Sequence, residues 1–121
     1  MREISLIAGL SVIGVMLRYG IGLWFDRLFH PSFPWATFGI NLAGSFFIGL
    51  MSGFADRQLV SEEWGVAIMV GLLGGFTTFS AFSLETIRLY ESGDRLTAGL
   101  YFVLSPILSV VLCFVGRSFM R

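Results

Sequence analysis

The side chains in this chain with chemistry to offer are mostly neutral, and they are spaced for helices. Thr37, Asn41 and Ser45 stand at i, i+4 and i+8, and Tyr101, Ser105 and Ser109 repeat that spacing. Each trio therefore lies along one face of a helix. An amide or hydroxyl in an apolar setting costs kilocalories unless it is hydrogen-bonded or wetted. Asn41 alone reads first as glue between helices, but two such tracks in one small chain look more like a path. Pro106 strengthens the second track, because a proline inside a helix removes an i to i−4 bond and frees a carbonyl.

A second kind of chemistry lies in Gly74-Gly75-Phe76-Thr77-Thr78. Consecutive glycines followed by β-branched residues invite a break in a helix, and carbonyls freed at a break must be satisfied by protein or by an ion. Such carbonyls suit a hard monovalent cation; the alternative is an intact helix packed closely at the glycines. Immediately beyond, Phe79 and Phe82 stand at i, i+3 and share a face. Aromatic pairs at this spacing are usually core, yet the ring edge is electropositive and can hold an anion without a fixed charge. Gly49 with Gly53, and Gly71 with Gly75, form G-x-x-x-G pairs that carry packing information. Arg18 and Glu85 are opposite charges within apolar stretches, placed either to pair or to face water-filled vestibules. No nucleophile stands beside a base, and His30 lies alone in a loop, so the sequence argues against an enzyme. The single cysteine, Cys113, permits neither an internal disulfide nor a thiolate metal site.

The elements that must position these residues follow from composition. Of 121 residues, 55% are apolar and only 13% charged, against about 25% charged in soluble domains, and the mean hydropathy is +0.82. Four spans of roughly 20 residues account for most of the chain. They run over about Ile4–Phe25, Trp35–Phe54, Trp64–Tyr90 and Leu96–Phe119, as one four-helix transmembrane domain over residues 1–121. The first is too long for a signal peptide's apolar region and is read as retained. Ser61-Glu62-Glu63 reads as an N-cap with acidic residues in the first turn, and Glu91-Ser92-Gly93-Asp94-Arg95 as a turn. All eight basic residues are arginines, balanced by eight acids, and no basic surface points to nucleic acid. With four spans, Arg2, Arg57, Arg117 and Arg121 fall on one side, and Arg27, Arg88, Arg95 and a snorkelling Arg18 on the other. Arginine excess sets orientation, so this balance predicts either insertion both ways, with two opposed copies pairing across an in-plane two-fold axis, or a weakly biased single orientation.

These residues resemble a known family, the CrcB/Fluc fluoride channels, over essentially the whole chain. Gly14 to Tyr19 is similar to its G-x-x-x-R-Y element and Thr37 to Gly49 to its G-T-x-x-x-N-x-x-G-S-F-x-x-G element. Gly74 to Glu85 is similar to G-G-x-T-T-F-S-T-F-S-x-E, with Ala81 where threonine is common; Phe38-Gly39-Ile40 also departs from the usual Leu-Val-Val. The resemblance implies an all-α protein of the bacterial inner (cytoplasmic) membrane, with a break in the third helix. It implies an antiparallel, dual-topology homodimer with two fluoride pores and one central structural sodium ion. By resemblance, the main-chain carbonyls of Gly74 and Thr77 would hold that sodium. Phe79 and Phe82 would contact fluoride edge-on, Asn41 would supply an amide donor, and Tyr101 and Ser105 would be partners from the fourth helix. Ser80, Ser83 and Thr37 would continue the track, with Arg18 and Glu85 toward the aqueous ends. A rival is a small proton-coupled multidrug exporter, which needs a carboxylate within its first span; here none stands between Glu3 and Asp26. A structural or assembly subunit would explain the spans but not the two polar tracks.

Overall fold

A computed structural model describes all residues from Met1 to Arg121, and every regular element in it is helical. Helix α1 runs Arg2–Phe29 and α2 runs Trp35–Asp56. The third membrane-length segment is composite: α3 (Glu62–Val66), a π-helical stretch (Ala67–Leu73), α4 (Gly74–Phe76), then two extended residues before α5 (Phe79–Glu91). Helix α6 closes the chain over Arg95–Ser118, with Pro106 inside it. Four segments, Arg2–Phe29, Trp35–Asp56, Glu62–Glu91 and Arg95–Ser118, are long and apolar enough to cross a bilayer. Each lies within a few residues of the span expected from hydropathy. Their ends reach further at Arg2, Phe29 and Asp56, because charged residues continue a helix into the interfacial region.

Local chemistry explains the turns. Asp94 caps α6 by accepting from the Thr97 N–H at 3.2 Å, and Gly93 just before it has φ +94°, which only glycine adopts without cost. Ser61 does occupy the N-cap of α3, with Glu62 and Glu63 in the first turn, but its hydroxyl makes no capping bond. The carbonyl of Ser61 instead accepts from the Gly65 N–H at 2.8 Å.

The helices approach through glycine. Where Gly14 of α1 meets the π-helical stretch, an added Cβ would collide with the Leu72 carbonyl, and at Gly71 it would stand 2.7 Å from the Ile7 carbonyl. Gly75 repeats this against Ser11 one turn on, at 2.8 Å. On the other side, Gly49 of α2 lies against the Cys113 carbonyl and Gly116 of α6 against that of Phe46. Gly71, Gly75 and Gly49 therefore serve close backbone packing, which is how helices associate where lipid removes the hydrophobic drive, while Gly53 makes room for the Met120 side chain.

The core is small. Only 16 of 121 residues are buried, centred on Phe82, Leu89, Ala98 and Tyr101 between α5 and α6, with Phe33 and Phe38 packed against them. Most large apolar side chains face outward, as a bilayer permits. At one end Arg117 of α6 bonds Ser52 and Asp56 of α2, and Arg2 pairs with Glu63 at 3.5 Å.

Candidate functional site

The site begins with two residues that are not helical. Thr77 (φ −81°, ψ 158°) and Thr78 (φ −152°, ψ 121°) are extended, and their polar groups are re-partnered locally. The Thr77 N–H and hydroxyl both donate to the Leu73 carbonyl, at 3.0 and 2.9 Å. Thr78 is held from α2: its N–H donates to Asn41 Oδ1 at 2.8 Å, and its carbonyl accepts from Asn41 Nδ2 at 2.9 Å. The Thr78 hydroxyl then caps α5 by accepting from the Ala81 N–H at 3.2 Å. Asn41 is thus a two-point bracket between α2 and the extended residues, and one of its two amide protons remains uncommitted.

Beside this bracket runs a groove of about 360 Å³. Asn41 and Ser45 line it from α2 and Ser105 and Ser109 from α6, with Thr77, Thr78, Phe79 and Phe82 between them. The two polar tracks separated by some sixty residues of sequence therefore converge on one concavity. The phenylalanines differ sharply there: Phe82 is 3% exposed and packs edge-to-face on Tyr101, centroids 5.0 Å apart, whereas Phe79 is 75% exposed. Their own centroids lie 5.4 Å apart, so the pair forms one aromatic wall. One ring is anchored in the core and the other is exposed.

Thr37 and Tyr101 are committed elsewhere. Thr37 donates to Glu85 Oε1 at 2.6 Å and Tyr101 to Glu85 Oε2 at 2.9 Å, which ties α2, α5 and α6 together around one carboxylate. Thr37 and Glu85 also line an outer cavity of about 430 Å³ with Asp26 and Arg88. Arg18 and Glu85 do not pair: the carboxylate is taken by two hydroxyls, and the Arg18 Nε is buried without a partner. Arg18 lines a separate crevice with Asp26, Thr37 and Thr78. Ser83 bonds back to the Phe79 carbonyl of its own helix at 3.0 Å and Ser80 lies 3.4 Å from the Thr78 hydroxyl; neither lines the groove. Gly74 is exposed on α4, three residues before the chain becomes extended.

Thr78 is the site residue that the sequence pattern does not single out from its neighbours in Gly74-Gly75-Phe76-Thr77-Thr78. Its signal was present: a threonine three residues before Ala81 at a helix start is N-cap spacing.

The chain matches the family of CrcB-like protein, Camphor Resistance (CrcB), over residues 5–117. The Fluoride-specific ion channel FluC of Rhizobium etli is 42% identical over 122 residues, covering 100% of this chain and 98% of that protein. That of Agrobacterium fabrum is 40% identical with the same coverage. Fluoride-specific ion channel FluC 1 of Nitrobacter hamburgensis is 42% identical over 110 residues, covering 90% of this chain and 87% of its own. With four membrane-length helices, and with similarity that spans both polar tracks and the glycine-threonine segment, the chain belongs to the CrcB family.

Proposed function

We propose that this protein is a fluoride-selective channel that lets fluoride leave the cell passively across the cytoplasmic membrane, giving resistance to fluoride toxicity. The observation that carries the reading is the meeting of Asn41, Ser45, Ser105 and Ser109 with the Phe79–Phe82 wall in one groove; relatives at about 42% identity carry the fluoride-channel name. Fluoride is small and strongly hydrated, so a selective path must offer several donors at once and still release the ion. Here the donors are an amide N–H, hydroxyls and the electropositive edges of phenyl rings. None carries a full charge that would trap the anion. Thr37, Tyr101 and Glu85, then Ser80, Ser83 and Arg18, would extend the route toward its aqueous ends. The family is one of ion channels.

The working unit in this reading is an antiparallel, dual-topology homodimer. Support comes from the groove itself, one of whose lining rings, Phe79, is 75% exposed in a single chain. The arginine balance points the same way. A break within the third membrane-crossing segment, at Thr77 and Thr78, belongs to the same proposal, as does a structural sodium ion on the carbonyls of Gly74 and Thr77 from both copies. The chain offers no cluster of three or more His, Cys, Asp or Glu for a metal. Neutral carbonyl oxygens are the donor set that suits an alkali cation. The Thr77 carbonyl fits that role, since no hydrogen bond within the chain ends on it. When bound, the cation would supply a positive charge that holds opposed carbonyl dipoles together.

Ion flux from liposomes containing the purified protein alone tests the function. The expected result is rapid fluoride efflux that needs no proton gradient. Proton-coupled exchange of organic cations would instead support the exporter reading, and no flux of either kind would leave an assembly subunit.

A further inference from the structure

Resting on the sodium reading above, the hydrogen bonds around the extended residues assign a role to two side chains outside the cation's own ligands. In a continuous helix each carbonyl accepts from the N–H four residues on. The Gly74 carbonyl would take the Thr78 N–H, and the Thr77 carbonyl would take the Ala81 N–H. Both donors are diverted. The Thr78 N–H goes to Asn41 Oδ1 at 2.8 Å, and the Ala81 N–H goes to the Thr78 hydroxyl at 3.2 Å. An interruption at Thr77 and Thr78 releases the four carbonyls from Gly74 to Thr77, and those of Gly74 and Thr77 are the two whose helical donors are held by a named side-chain oxygen.

We propose that Asn41 and Thr78 are positioning residues for a monovalent-cation site: Asn41 Oδ1 releases the Gly74 carbonyl, and the Thr78 hydroxyl releases that of Thr77. Buried backbone donors are almost always satisfied, so each carbonyl can stay open to a cation only while a substitute acceptor holds its donor. The second Asn41 contact, from Nδ2 to the Thr78 carbonyl at 2.9 Å, keeps Thr78 from rotating back into a helix. Asn41 lines the anion groove as well, so one side chain links the groove to the cation site.

Thr78→Val is the cleanest probe, because valine keeps the β-branched shape that suits φ −152°, ψ 121° and removes only the hydroxyl. Protein is purified throughout either in sodium or in N-methylglucamine, and its melting temperature is then measured against added sodium chloride, with N-methylglucamine chloride as the ionic-strength control. Wild type should be stabilised by sodium with a saturating dose response. Thr78→Val should lose the shift or need about tenfold more sodium, the loss expected when one contact to a charge is weakened; Thr78→Ser should retain wild-type behaviour. Should Thr78→Val fail to fold, Asn41→Asp, which keeps the acceptor oxygen, and Asn41→Leu, which has none, make the same comparison, with sodium stabilisation expected only in the aspartate variant. A sodium response in Thr78→Val or Asn41→Leu equal to wild type overturns the positioning role. Absence of any sodium response in wild type overturns the cation reading itself.

Discussion

Phe79 and Phe82 show how residues that look equivalent along a helix part company in three dimensions. The i, i+3 spacing puts both on one face, but Phe82 is sealed against Tyr101 and Phe102 while Phe79 stands 75% exposed. Replacing either by isoleucine keeps an apolar side chain and removes the polarised ring edge. Phe79→Ile should leave the melting temperature of the purified protein unchanged and lower fluoride flux by about tenfold, equivalent to about 1.4 kcal/mol at the barrier. Phe82→Ile should lower both, since a shape change in a packed core costs about 1–3 kcal/mol and the edge-to-face contact with Tyr101 adds about 1 kcal/mol more. Wild-type flux through Phe79→Ile, measured with melting on the same preparation, would show that this ring does not touch the anion.

Helices here are placed by what their glycines omit. The G-x-x-x-G spacing announces close approach without naming the partner, and the structure supplies it: α6 for Gly49, α1 for Gly71 and Gly75. Gly49→Ala drives a methyl into the Cys113 carbonyl, whereas Gly99→Ala on α6 meets nothing within 4 Å. The first should cost about 1–3 kcal/mol and lower the melting temperature by several degrees, and the second should be neutral or slightly stabilising. Equal effects would mean that α2 and α6 have room to separate. Element limits were readable to within a few residues because hydropathy and turn chemistry agree at Gly93-Asp94 and at Pro31 to Pro34. The π-helical stretch over Ala67–Leu73 had no such signal, since an apolar run with one glycine reads as an ordinary membrane helix.

For the whole molecule, the arginine balance and the half-open groove lead to one expectation about insertion. A cysteine placed at Leu59, which lies 62% exposed after α2, in a Cys113→Ala background should react with impermeant reagent from both faces of sealed vesicles, in about equal parts if neither orientation is favoured. Reaction from one face alone would make the chain a single-orientation protein and remove the antiparallel dimer. The thin core is consistent with either arrangement within lipid; the test turns on orientation and not on stability.

The sequence by itself determined that the chain crosses a membrane, roughly where, and which polar residues were out of place there, because hydropathy and helical periodicity are properties of neighbours in sequence. It also supplied the family, through the string from Gly74 to Glu85. Only the tertiary structure decided which of those residues meet. Nothing local to Thr37, Tyr101 or Glu85 says that two hydroxyls from different helices converge on one carboxylate in place of Arg18. Nor does Asn41 reveal from its own surroundings that its oxygen captures a backbone donor 37 residues away. Such pairings depend on how α2, α5 and α6 cross: α2 and α6 meet at Gly49 and Gly116, and α5 and α6 through the Phe82–Tyr101 core, contacts between residues far apart in the chain.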